Sequence, residues 1–174
     1  MDKSDGKGDI MTLQTGEHVI YRNMELCRVE GFEKQCADGV HEREYCVLTP
    51  VNSAGARYYI PAETAAEKLR PVHTREEIMS LISEMGAAED WCPDPMERKR
   101  RHAEVLSSGD ILRTAAMVKG IYLEKRRREE HGKSLNSADE RTLHAAEDMI
   151  NGEFSFVLGI KPEEVPGFIA GEIG

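Results

Sequence analysis

The side chains best suited to a chemical task lie between residues 90 and 110. The only tryptophan of the chain, Trp91, precedes the basic run Arg98-Lys99-Arg100-Arg101. A flat indole can wedge into a base step at a minor-groove edge, while guanidinium and ammonium groups beside it bind phosphates. A helix would place Arg98 and Arg101 on one face, with Lys99 and Arg100 flanking them. The pattern therefore predicts contact with duplex DNA through Trp91 and the basic run 98–101.

Two other interpretations of these residues stay open. A single tryptophan between helices is most often a packing anchor, and the chain would then be a protein–protein adaptor without DNA contact. An RNA-binding factor is the third interpretation, and it predicts aromatic residues on an open sheet face. Sequence-specific DNA recognition is not indicated, because the chain has no helix-turn-helix pattern and no set of base-reading side chains.

The charge of the chain is unevenly distributed. The net charge is -9, yet residues 95–133 contain eleven basic and six acidic side chains, so this segment carries +5 and the rest carries -14. Such asymmetry is typical of a protein with one region that meets phosphate and another that meets a different partner. The second basic run, 125–128, favours a simpler role, since cations stabilise the C-terminus of a helix.

Enzymatic, metal and cofactor sites are not predicted. The sequence lacks a nucleophile elbow, a phosphate loop and a dinucleotide-binding glycine motif. The four cysteines form no Cys-x-x-Cys pair and the histidines form no ligand cluster, so we expect neither a metal nor a cofactor. Cys27 and Cys46 are expected as reduced thiols in the core of a small sheet.

The first half of the chain has the alternation of short β-strands. Segments 17–21, 26–34, 44–48 and 57–60 are rich in β-branched and aromatic residues and are separated by turn residues. Pro61 cannot donate to a ladder and is expected to close the last strand. These features predict four or five antiparallel strands in a small curled sheet or barrel.

From Thr74 onward the period becomes helical. The first predicted helix follows a Thr74–Glu77 capping box, and two more cover about 96–107 and 111–128. A fourth follows a Ser137–Glu140 capping box and continues through 158. A last short helix is predicted to begin at Pro162 and to end near Ile169. Gly86 and Gly109 are expected to end helices, and Asp110 to cap one. The fold class is therefore α+β, with a β domain followed by an all-helical domain of three to five helices.

The remaining features concern location and assembly. Residues 1–10 are polar, lack the apolar core of a secretory signal, and are expected to form a disordered tail. No segment reaches the ~18 to 20 apolar residues of a membrane span. We expect a cytoplasmic protein without a membrane contact, and nothing in the sequence demands more than a monomer.

Several short motifs in order resemble a known family. They are Gly16-Glu17-x-Val19-Ile20-Tyr21, Glu44-Tyr45-Cys46-Val47-Leu48, Ile60-Pro61, Leu69-Arg70, Trp91, Leu106-Ser107-Ser108-Gly109-Asp110, and Ala145-Ala146-Glu147 to Glu153. In this order they resemble the CarD family of bacterial transcription regulators. The resemblance extends from about residue 11 to residue 158.

This resemblance implies a two-domain transcription regulator. Residues 11–70 would form a Tudor-like antiparallel β domain that binds the β subunit of RNA polymerase, and the helical domain, 71–174, would contact promoter DNA. Trp91 would wedge into the minor groove and stabilise the open complex, with Arg98, Lys99 and Arg101 on the backbone. The polymerase contacts implied by motif alignment are Lys34, Gln35, Arg57 and Tyr59, close to a strand edge that could pair with the partner.

Overall fold

The structure, a computed structural model, describes residues 12–173 apart from residues 23, 37 and 88. The predicted tail, 1–10, lies outside the described residues. The elements in chain order are β1 (His18–Tyr21), β2 (Glu25–Gln35), β3 (Arg43–Pro50), β4 (Tyr58–Pro61), α1 (Ala62–Lys68), β5 (Leu69–Pro71), α2 (Arg75–Met85), α3 (Pro95–Ser108), α4 (Ile111–Glu130), α5 (Ser137–Leu158), a 3₁₀ turn (Pro162–Glu164) and α6 (Val165–Ile173). The α+β class, with strands first and helices after, is confirmed.

The chain divides into two compact units. Among the described residues, the first unit comprises those up to 21 and those of 26–71, and the second comprises those of 22–25 and those from 72 onward. The first unit contains the sheet and α1, and the second contains α2 to α6.

The sheet of the first unit is antiparallel and has the strand order β4-β3-β2-β1-β5. Pairing of β2 with β3 shifts register between Val29 and Gly31, which is the signature of a β-bulge. Cys27 and Cys46 are both 0% exposed and lie in the core of this unit, as predicted. Pro61 is the last residue of β4, also as predicted.

Two elements of this unit were not predicted. Helix α1 follows Pro61 directly, and β5 pairs with β1 through only three residues. A three-residue strand is too short to show an alternating pattern in the sequence. Its pairing with β1, and not its own composition, defines it as a strand. With β5 the described sheet has five strands, which lies within the predicted number of four or five.

Most of the predicted capping residues of the second unit are present at the helix ends, and one predicted cap is wrong. The Thr74–Glu77 capping box is present, Gly109 has a left-handed φ of 68°, and the Asp110 side chain accepts from the amide of Arg113. The predicted Ser137–Glu140 box is wrong. Asn136 caps α5, and its side chain accepts from the amides of Ala138 and Asp139. Asparagine caps a helix about as well as serine, and the residue before the first helical position, Ser137, is Asn136.

The core of the second unit lies where α3, α4 and α5 pack. Its buried members are Val105, Met117, Ile121, Leu135, Leu143 and Ala146, and Trp91 packs against them as a partly buried residue. No helix among residues 12–173, with the three gaps named above, is long and apolar enough to cross a membrane.

Candidate nucleic-acid interface

The loop that carries Trp91 joins α2 to α3. At its end, the Asp94 carboxylate accepts from the amide of Glu97 at 2.8 Å, so that Asp94 caps α3. Pro95 occupies the first turn, where an amide hydrogen would have no partner within the helix. The chain direction entering α3 is thereby fixed three residues after the indole.

Arg98 is buried, with 4% of its surface exposed. Its Nε and Nη2 donate to the two carboxylate oxygens of Asp139 at 3.1 and 3.0 Å, and its Nη1 donates to the carbonyls of Cys92 and Pro93 at 2.8 and 3.1 Å. Every guanidinium nitrogen thus has a partner inside the protein. The expectation that Arg98 contacts phosphate does not fit this position, because a group already desolvated and paired would have to leave its carboxylate.

The burial of Trp91 is intermediate between that of an exposed DNA wedge and that of a buried packing anchor. The indole is partly buried, and the guanidinium carbon of Arg98 stands 4.3 Å from the centre of its ring. A cation over an aromatic face at this distance is attracted by the ring quadrupole. One face of the indole is therefore covered by Arg98, and the residue as a whole is only partly buried.

Lys99 and Arg101 lie on the outer side of α3. Lys99 is exposed, and no ion pair involves it among the residues that the structure describes. Arg101 is exposed too, but it lies 3.4 Å from an Asp90 oxygen and 3.5 Å from a Glu97 oxygen. Both cations are thus accessible, and Lys99 has the fewer competing carboxylates.

The surface beside Arg101 is mixed in charge. A polar hollow of about 270 Å³ is lined by Asp90, Arg100, Arg101, Glu104, Val105 and Arg113. Arg100 donates two hydrogen bonds to the Glu97 carboxylate. These hydrogen bonds lower the pKa of Glu97 below its usual value and keep the carboxylate ionised. An incoming phosphate would therefore have to exchange partners with carboxylates here.

The second basic run, 125–128, mainly supports its own helix. Hydrogen bonds from Arg127 lower the pKa of Glu124 to about 2, against the opposing effect of burial, and Arg128 contributes in the same direction. Two of the four cations therefore share the single Glu124 carboxylate at the end of α4.

Sequence reasoning missed two residues that position this site. Asp139 receives the Arg98 guanidinium, and His102 lies one turn further along α3, with its Nδ1 3.9 Å from an Asp139 oxygen. Arg98, His102 and Val105 are the buried residues of α3. Their spacing of i, i+4, i+7 is that of an inward helix face, and this was the available signal. Asp139 lies 41 residues from Arg98, and local patterns do not reveal such a contact.

The four polymerase-contact candidates do not form one cluster. Tyr59, which is 42% exposed, and Arg57 lie at β4, an edge of the described sheet. Lys34 and Gln35 lie on β2, opposite Glu44 and Arg43 of β3, whereas Tyr59 is opposite Val47. Three positions along β3 and two strand spacings across it separate Lys34 from Tyr59 by on the order of 14 Å.

The cysteines and histidines do not assemble a metal site in the described part of the chain. Residues 12–173, apart from the three gaps, contain no group of three or more His, Cys, Asp or Glu side chains that could hold a metal ion. All four cysteines are free thiols.

Comparison with known families agrees with the division into two units. Residues 13–73 match the CarD-like/TRCF RID domain, and residues 79–170 match the CarD C-terminal domain, which alone covers more than half of the chain. No curated protein matches the chain significantly.

Proposed function

The chain belongs to the CarD family of RNA polymerase-interacting transcription regulators, and we propose that it stabilises the open promoter complex through Trp91. In this proposal the first unit, called the β unit below, binds the polymerase β subunit. The second unit, called the helical unit, contacts promoter DNA without reading its sequence. The binding energy of such a wedge must offset the free-energy cost of unstacking one base step. The wedge therefore shifts the equilibrium between closed and open promoter complexes only modestly.

The observation that supports the DNA contact is a partly buried Trp91 on the loop before a helix that carries two accessible cations. Arg98 covers one ring face and binds the neighbouring carbonyls, while Lys99 and Arg101 are exposed on the same helix. A ring with one face covered can still enter a groove by its uncovered part. The proposal therefore assigns phosphate contact to Lys99 and Arg101 and assigns to Arg98 the task of orienting Trp91.

On the polymerase side, the proposal places the contact at β4. This strand is an edge of the described sheet, and an edge can accept a partner strand through main-chain hydrogen bonds. Arg57 and Tyr59 lie at this edge, so we infer that they contribute more to the contact than Lys34 and Gln35 do.

The test measures the lifetime of open complexes on a linear promoter fragment, with purified polymerase and full-length protein. Trp91→Ala is expected to abolish most of the lifetime gained with the unsubstituted protein while leaving polymerase binding unchanged. Phe156→Ala, at an exposed aromatic residue of α5, is the matched control and is expected to retain the gain. Full activity of Trp91→Ala would contradict the proposal.

A second candidate function follows from the packing of Trp91 against the core of the helical unit. In this case the chain is a polymerase-bound adaptor, and Trp91 is an anchor without DNA contact. Trp91→Phe distinguishes the two, since a phenyl ring refills much of the packing site but presents a smaller wedge. The adaptor predicts that activity follows the stability of the helical unit across Trp91 variants, whereas the wedge predicts reduced activity at retained stability.

A further inference from the structure

Gly120 lies in the middle of α4, where glycine weakens a helix relative to alanine. The reason for a glycine here is a close approach of two backbones. A Cβ at position 120 would stand 2.1 Å from the carbonyl oxygen of Asp90, 2.6 Å from its carbonyl carbon and 3.2 Å from the amide nitrogen of Trp91. The residue that precedes the indole therefore lies directly on the surface of α4.

A hydrogen bond reinforces this approach. The amide of Asp90 donates to the carbonyl oxygen of Ala116 at 2.9 Å, one turn before Gly120 on the same helix. That carbonyl belongs to a helix interior, and its oxygen has a second lone pair that can accept from Asp90. On the other side of Trp91, Arg98 binds the carbonyls of Cys92 and Pro93. The backbone is thus attached immediately before and immediately after the indole.

We propose that Gly120 is the positioning residue that fixes the Trp91 loop on α4 and so presents the indole in one orientation. This inference rests on the proposed function only for its consequence at the promoter. A wedge fixed before binding loses little conformational freedom when it inserts, which favours stabilisation of the open complex.

The substitution Gly120→Ala tests the proposal because it adds one methyl group at a place without room for it. Carbon atoms pack at ~3.5 to 4.0 Å, so the loop must move by about 1 Å or more. The obstacle is the backbone of Asp90, which cannot rotate aside as a side chain would. Gly167→Ala is the matched control, since this glycine also lies in a helix, α6, and nothing lies within 4 Å of its added Cβ.

The first readout is the fluorescence of Trp91, which is the only tryptophan of the chain. Gly120→Ala is expected to shift the emission maximum and to raise acrylamide quenching, while Gly167→Ala leaves both unchanged. Unchanged emission and quenching in a folded Gly120→Ala protein would overturn the proposal. If this variant does not fold, hydrogen exchange of the Asp90 amide in the unsubstituted protein decides instead. The proposal expects protection, and exchange at the rate of a free peptide would overturn it.

The second readout is the open-complex lifetime. Gly120→Ala is expected to remove the same share of the lifetime as Trp91→Ala, and the double variant is expected to remove no more, because both changes disable one wedge. Polymerase binding should stay unchanged. Additive effects would overturn the positioning role. Should Trp91→Ala itself have no effect, the proposed function fails, while the fluorescence comparison still decides whether Gly120 fixes the loop.

Discussion

Among single residues, those of the basic helix α3 divide into two sides with different tasks. Arg98 points inward, where its guanidinium joins Asp139 to the loop of Trp91, and Lys99 and Arg101 point outward. Residues adjacent in sequence therefore differ in what their removal should change. Removal of Arg98 should act on stability, and removal of its neighbours should act on binding.

Arg98→Ala is expected to destabilise the helical unit by about 3 to 5 kcal/mol, because it leaves the Asp139 carboxylate buried without its cation. Urea unfolding followed by Trp91 fluorescence measures the change in the free energy of unfolding. The matched control is Arg100→Ala, whose ion pairs are exposed and screened by solvent, so its effect on the free energy of unfolding should be far smaller. Equal effects of the two substitutions would contradict the structural role of Arg98.

Lys99→Ala is expected to leave the free energy of unfolding unchanged and to weaken association with the polymerase–promoter complex. Removing one lysine–phosphate interaction should reduce the slope of log K against log salt concentration by about 1. Titrations at several salt concentrations give this slope. Lys133→Ala, at an exposed lysine between α4 and α5, serves as control, and an identical slope for the two variants would argue against phosphate contact by Lys99.

Among the secondary-structure elements, capping residues and edge strands determine where contacts form. Asn136 sets the start of α5, the helix that supplies Asp139 to Arg98. Asn136→Ala is expected to destabilise the helical unit by about 1 kcal/mol, whereas Ser137→Ala should have little effect. Chemical denaturation of the two variants compares them, and a larger destabilisation by Ser137→Ala would contradict the assignment of the cap.

Strand β4 is the element proposed to meet the polymerase. Arg57→Glu combined with Tyr59→Ala is expected to weaken binding to purified polymerase at least as much as any change at Lys34 or Gln35. Both substituted residues are exposed at the edge strand, so folding of the sheet should be retained, and circular dichroism checks this. A stronger effect of Lys34→Glu than of the β4 variant would move the contact to the end of β2.

For the molecule as a whole, the free energy of unfolding should depend on pH through His102, which is buried on the same helix as Arg98. Burial lowers the pKa of His102 below its usual value, Arg98 acts in the same direction, and Asp139 and Asp90 oppose it. The folded protein thus keeps the imidazole neutral, while the unfolded chain binds a proton below about pH 6.5. The contribution of His102 is therefore fully present above about pH 6.5 and is lost as the pH falls towards the lower folded pKa.

Urea unfolding at three pH values, about 7.5, 6.5 and 5.5, checks this dependence through Trp91 fluorescence. The free energy of unfolding should fall between the last two by no more than about 1.4 kcal/mol from this group. The fall should be smaller in His102→Gln. The same pH dependence in both proteins would assign the effect to other groups.

Much of this organisation could be predicted from the sequence, because alternation and capping are local properties. The order of strands and helices, the Thr74–Glu77 box and the left-handed Gly109 follow from a few neighbouring residues. The role of Arg98 could not be read the same way, since its partner is 41 residues away and charge count alone suggested a solvent-exposed side chain. The short strand β5 likewise depends on pairing with β1.

The proposed function depends above all on whether Trp91 touches promoter DNA in the open complex. A photocrosslinking phenylalanine analogue can replace Trp91 in the full-length protein, and open complexes formed with purified polymerase are then irradiated. Crosslinks to promoter DNA are expected from position 91, and none from the same analogue at Phe156. Crosslinks from position 91 to protein alone, in complexes that retain normal lifetime, would contradict the wedge.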